Sequence, residues 1–203
     1  MNKLLFNPFI KVAGSRALVY GLIIILLSSL IAYFSHTCFD GIIDVHFSSY
    51  RLLSVKIFEG LLNWASLSIV FYFISLLITG SSVRFIDVTG TMALSRFPML
   101  ISALIGFVMM KNKAAEYLSW KLLNIGDEIT LHIGDIIVFL ISLILVLICI
   151  IWTVALMYNA FKVSANAKGQ KSIIAFIIGL IISEILVKTV LYWTGYLTLI
   201  YNI

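Results

Sequence analysis

Long apolar runs alternate with short polar joints along the whole chain, and the lengths of the runs predict membrane-spanning helices. Ala17 to Phe34 carries no charge and is long enough to cross about 30 Å of hydrocarbon. Runs of the same kind cover Leu61 to Ile78, Ile136 to Tyr158 and Ser172 to Tyr196. Met99 to Met110 is shorter, rising only about 18 Å as a helix. It becomes a span if Met92 to Phe97 joins it and Arg96 snorkels to the surface, and is otherwise a re-entrant hairpin. The pattern therefore predicts spans at 17–34, 61–78, 92–110, 136–158 and 172–196. Together they make one membrane domain over 1–203, an all-α integral membrane helical bundle of about five transmembrane helices with short interfacial helices.

The joints are informative in their own way. Met1 to Arg16 mixes Leu4, Leu5, Phe6, Phe9, Ile10 and Val12 with Lys3, Lys11 and Arg16. With Asn7-Pro8 as a cap and a first-turn proline, it predicts a short helix in the membrane interface. Residues 35–59 are polar and of mixed charge, which predicts a structured loop outside the bilayer. Thr79-Gly80-Ser81-Ser82 reads as a turn. Arg84 to Ser95 reads as an amphipathic segment entering at Asp87. Lys111 to Leu123 reads as an interfacial helix with Ala115, Leu118, Leu122 and Leu123 along one side, and residues 124–134 as an acidic turn. Tyr192, Trp193 and Tyr196 form an aromatic anchor at the end of the last run.

Composition narrows the function classes. The chain is 62% hydrophobic and 11% charged, with a mean hydropathy of +1.13, against about 45–50% apolar and 25% charged in soluble domains. A soluble fold is excluded, and spans with short loops leave no room for a soluble catalytic domain. The net charge of +5 does not point to nucleic acid, because the lysines and arginines flank apolar runs rather than forming a basic face with exposed aromatics. Ser35-His36-Thr37 before Cys38 fits neither a small-x-small cleavage site nor a lipobox, so the first run is expected to be retained.

The distribution of cations sets an orientation. With five spans, Lys3, Lys11, Arg16, Arg84, Arg96, Lys162, Lys168 and Lys171 fall on the N-terminal side, and Arg51, Lys56, Lys111, Lys113 and Lys121 on the other. A four-span arrangement gives the same balance. The linker 159–171, whose three lysines are opposed by no acid, favours five spans with a cytoplasmic N-terminus, since short loops weigh most in this rule.

Two features could carry chemistry. Glu184 and Lys188 lie one helical turn apart in the last run, where a lone charge at the bilayer centre costs roughly 2.5 to 3.5 kcal/mol. They are expected to form an intramembrane polar pair in the favourable orientation, serving helix packing or, alternatively, a proton relay or docking point. The second feature is a set of possible ligands, His36, Asp40, Asp44 and His46 in one loop and Glu116, Asp127, Glu128, His132 and Asp135 in another. Their spacing matches no tight metal-ligand pattern, so neither a metal nor a cofactor is predicted. Cys38 and Cys149 are placed too differently for a disulfide. With no phosphate loop and no nucleophile motif, no enzyme is predicted.

The stretch from Arg84 to Pro98, and the stretch from Trp152 to Lys162 continuing through Gly169 and Lys171, resemble the membrane domain of the Yip family over about Asn7 to Lys188. Its members are small five-span proteins named for interaction with Ypt/Rab GTPases. The resemblance implies a non-enzymatic membrane-organising or trafficking-type scaffold that binds other membrane proteins or a second copy of itself, with a cytoplasmic N-terminus and an external C-terminus. The long hydrophilic N-terminal region and the Asp-Leu-Tyr-Gly-Pro motif of eukaryotic members are missing here. The resemblance therefore does not carry GTPase binding, and it implies a bacterial inner-membrane protein. The alternative function is a small ion- or proton-coupled transporter or channel using Glu184.

Overall fold

A computed structural model describes residues 5–47, 52–79, 83–123 and 130–194. The described chain is almost entirely helical. A 3-10 turn, Pro8–Ile10, precedes α1 (Gly14–Phe34). A minimal antiparallel hairpin of β1 (Thr37–Cys38) and β2 (His46–Phe47) comes next, pairing Thr37 with Phe47 and Cys38 with His46. Then come α2 (Leu53–Thr79), α3 (Phe85–Leu94), α4 (Phe97–Met110), α5 (Lys113–Leu123), α6 (Ile133–Ser164) and α7 (Gln170–Trp193). Among the described residues, five helical stretches are long and apolar enough to cross a membrane, α3 and α4 together forming the third, Phe85–Met110. The protein is an integral, multi-pass membrane protein.

Helix α3 supplies the first half of that third stretch, which begins at Phe85 rather than at Met92 and takes in the amphipathic segment that enters at Asp87. It packs into the bundle because it presents small residues to α1. A Cβ on Gly21 would fall on the Cβ and backbone of Ala93, and one on Gly90 would lie 3.0 Å from Leu18 N and 3.3 Å from the Ala17 Cβ. Gly14, at the start of α1, has φ +60°. In lipid, where burial of apolar surface drives little association, such close backbone approach is what holds helices together. Trp64 of α2 ties in by donating its indole N–H to Thr89 O at 3.0 Å.

The helix stops at Leu94 and restarts at Phe97 for a local reason. Pro98 has no N–H, and its ring would strike the carbonyl of Leu94 in a continuous helix. Ser95 caps the break by donating its hydroxyl to Met92 O at 2.7 Å, and Arg96 is left facing the bundle interior.

An aromatic core lies on the side of the N-terminus. Phe71, Phe161 and Phe176 meet with ring centroids 5.2 and 5.5 Å from Phe71, and Gly179 makes room for the Phe71 ring. Phe9 plugs into this core at 1% exposure, so the 3-10 turn Pro8–Ile10 is anchored inward, while Leu5, Phe6 and Ile10 around it are exposed. Trp152 and Asn159 hold it by donating to Leu5 O at 3.0 Å and Phe6 O at 2.8 Å. The apolar faces of α6 and α7 stay open, with Ile144, Ile148 and Ile151 exposed on one and Ile174, Ile177 and Ile181 on the other. Tyr192 and Trp193 end α7 exposed, whereas Tyr196 and residues 124–129 of the acidic turn lie outside the described residues.

Candidate functional site

Residues 35–47 do not stay outside the bundle. They fold back between the helices, and each polar backbone group carried inward needs a partner, because the bilayer core offers no water to satisfy it. Helix α2 begins at Leu53, well before the apolar run that starts at Leu61. Lys56, Glu59 and Asn63 therefore share one helical face. Lys56 donates to Thr37 O at 2.6 Å and to the Cys38 Sγ at 2.9 Å. The Glu59 carboxylate accepts the Phe39 N–H at 3.1 Å, and Asn63 donates to Phe39 O at 2.6 Å. All three side chains are at most 1% exposed.

Deeper in the bundle, the peptide groups on either side of Ile42 are bracketed from two helices. Arg96, at the break between α3 and α4, donates to Ile42 O, and the Glu184 carboxylate of α7 accepts the Ile42 N–H at 2.6 Å. Arg96 is only 4% exposed. Its expected snorkelling is thus corrected: the fold-back loop brings a carbonyl acceptor to the guanidinium at depth. Gly41 lies against the Glu184 carboxylate, which occupies the space a side chain on that residue would need.

One turn further along α7, Lys188 reaches the loop acids, with its ammonium 2.8 Å from Asp44 Oδ2 and 3.6 Å from Asp40 Oδ1. His46 Nδ1 lies 3.3 Å from Asp40 and 3.7 Å from Asp44. Glu184 and Lys188 thus share the face of α7 that meets this loop, Glu184 addressing its backbone and Lys188 its side chains. Asp40, Asp44 and His46, scattered in sequence, come together with ligand atoms within 4.8 Å of one another. The Lys188 ammonium already supplies a fixed cation to both carboxylates there. His36 and Asp135 lie elsewhere, Asp135 capping α6 by accepting the His132 N–H at 3.3 Å. Cys38 and Cys149 are both buried and unbridged.

Charge couples the hairpin to pH. A hydrogen bond with the Cys38 side chain, followed by the charges of Asp40 and Asp44, raises the His46 pKa above 6.5 against the opposing effect of burial. Burial acts to raise Asp44, but the Lys188 bond and charge and the His46 charge outweigh it, leaving its pKa below 3.8. A raised histidine pKa stabilises the fold fully below pH 6.5 and loses that contribution as pH rises through the folded-state value. The lowered Asp44 pKa contributes above pH 3.8 and is lost as pH falls through its folded-state value. Amide exchange at residues 37–47 is accordingly expected to be slower at about pH 5.5 than at about pH 8.5 once intrinsic rates are removed, and His46→Gln should abolish the difference. An equal difference in the variant would assign the effect to another group.

Chemically, the assembly is a clamp. Side chains of α2, the α3–α4 break and α7 hold a loop backbone inside the bundle. Reading the sequence missed Lys56, Glu59 and Arg96 as members of it; the i, i+3, i+7 spacing of Lys56, Glu59 and Asn63 was the signal that would have placed them on one buried face. Across known families, the chain matches the model described as Yip1 domain over residues 3–192. No curated protein and no solved structure matches it.

Proposed function

The chain belongs to the Yip1 domain family, and on that premise we propose that it is a non-enzymatic membrane scaffold that binds other membrane proteins through the open faces of α6 and α7. The observation that carries this reading is the engagement of the intramembrane polar groups. Lys56, Glu59, Asn63, Arg96 and Glu184 all bond the backbone of residues 37–42, which makes the bundle a braced platform. Transport by Glu184 is less well supported, because its carboxylate holds the Ile42 N–H. The exposed isoleucines along α6 and α7 offer the van der Waals surface on which membrane helices associate. The cation distribution supports a cytoplasmic N-terminus and an external C-terminus, and the bacterial inner-membrane location of this reading rests on the family resemblance alone.

Photo-crosslinkers at Ile144 and Ile174, activated in native membranes, are expected to trap discrete membrane-protein adducts or a dimer of this chain. In the same cells, Lys168→Cys should resist an impermeant thiol reagent. Crosslinking to lipid alone from both positions would remove the scaffold reading, and labelling of Lys168→Cys from outside would invert the orientation.

A further inference from the structure

A cavity of about 10 Å³ lies where α1, α2 and the α3–α4 break meet, beside the fold-back loop. Its walls include Ile25, Ser28 and Ser29 of α1, Gly60 of α2, and Arg96 and Met99 at the break. A space of this size admits about one water molecule, provided that polar groups are there to hold it.

The walls supply those groups. Arg96 carries five N–H donors and uses one of them, Nη1, on Ile42 O. Among the described residues the guanidinium makes no other hydrogen bond, and the Ser29 hydroxyl makes none, although Arg96 is 4% exposed and Ser29 1%. Ser28 donates its hydroxyl to Ile24 O at 2.7 Å, which leaves its oxygen free to accept. Glycine at position 60 keeps the space open. A Cβ there would stand 2.8 Å from Ser29 Oγ, so the hydroxyl faces the gap that the missing carbon leaves in α2.

Charge selects a neutral occupant. Around the fold-back loop, Asp40, Asp44, Glu59 and Glu184 face Lys56, Arg96 and Lys188, together with His46 once it is protonated. No surplus of positive charge is left to hold an anion, and the guanidinium in the wall rejects a cation. Water both donates and accepts, as a mixture of guanidinium donors and hydroxyls requires.

We propose that this cavity binds a single water molecule, which accepts a hydrogen bond from Arg96, exchanges one with the Ser29 hydroxyl and donates one to Ser28 Oγ. It serves as a ligand of the clamp, satisfying a guanidinium that has no bulk solvent at that depth. Through it α1, which the direct bonds to the fold-back loop do not include, is tied to the α3–α4 break. The site needs no partner protein and stands apart from the scaffold reading.

Radiolytic footprinting of the full chain in bilayers tests it, because hydroxyl radicals formed on a bound water attack the nearest thioether and convert it to the sulfoxide. Met99 lines the cavity at 2% exposure, whereas Met92 and Met157, at 0%, pack in the aromatic core. In a millisecond X-ray pulse Met99 is expected to oxidise several-fold faster than either. Gly60→Ala puts a methyl group into the cavity, where its close contacts are side-chain atoms of Ser29 and Ile25, and should bring Met99 down to the rate of Met92. A Met99 rate no higher than that of Met92 in the unaltered chain would overturn the proposal, whether or not the variant folds. So would an undiminished Met99 rate in folded Gly60→Ala. Replacing gluconate with chloride at fixed ionic strength should leave the melting temperature unchanged. A rise with chloride would assign the cavity to an anion and overturn the proposal as well.

Discussion

Glu184→Gln is expected to destabilise the protein by about 1 kcal/mol, the difference between a backbone N–H bonded to a charged acceptor and to a neutral one, since the glutamine oxygen still accepts the Ile42 N–H. The change also removes a negative charge from the two helices that bracket Ile42, where Arg96 lies buried with Ile42 O as its acceptor. The geometry names the change that should compensate. Adding Arg96→Met removes the stranded cation and should recover much of the loss, whereas adding Lys188→Met should not, because Lys188 is held by Asp44 and Asp40. A double-mutant cycle in detergent, read by thermal unfolding, separates the two cases. Recovery with Lys188→Met and none with Arg96→Met would show that Glu184 couples to its neighbour on α7 instead.

The second large effect concerns the contact between α1 and α3. Gly21→Leu should abolish folded protein, and Gly21→Ala should cost roughly 1 to 3 kcal/mol by overpacking. Even one methyl group would meet the Cβ and backbone of Ala93 on a helix that cannot retreat without losing the packing of Gly90 against α1. Gly134→Ala, at a position with no atom within 4 Å of the added carbon, is the matched control and should be close to neutral. Normal expression and melting of Gly21→Ala would mean the two helices are not in close contact in the bilayer.

How much of the fold was legible in the sequence depends on which forces are local. Helices that cross a membrane are apolar all round and of fixed length, so the all-α bundle and its run of apolar stretches are written in consecutive residues such as Ala17 to Phe34. The family resemblance at Arg84 to Pro98 is local in the same sense and agrees with the family match. The clamp is not local. Ile42 gives no sign in its own neighbourhood that Arg96 and Glu184 will meet its peptide groups, and charge alone made Lys56 and Glu59 look like loop residues. Their burial becomes intelligible only once residues 35–47 turn back into the bundle, because the loop's peptide groups need partners there and in bonding them the charged side chains are themselves satisfied. Glu184 and Lys188 stood out because each interrupts an apolar run, but their partners lie in a loop far away in the chain.

Placing the receiving loop early and its last ligand late imposes an order of assembly. Ile42 and Arg96 leave the ribosome well before α7, so the Ile42 carbonyl has its partner in the chain before the Ile42 N–H does. The fold-back loop can be fully bonded only once the final helix is in place, and the last-made helix is the one that completes the bonding of a loop made early.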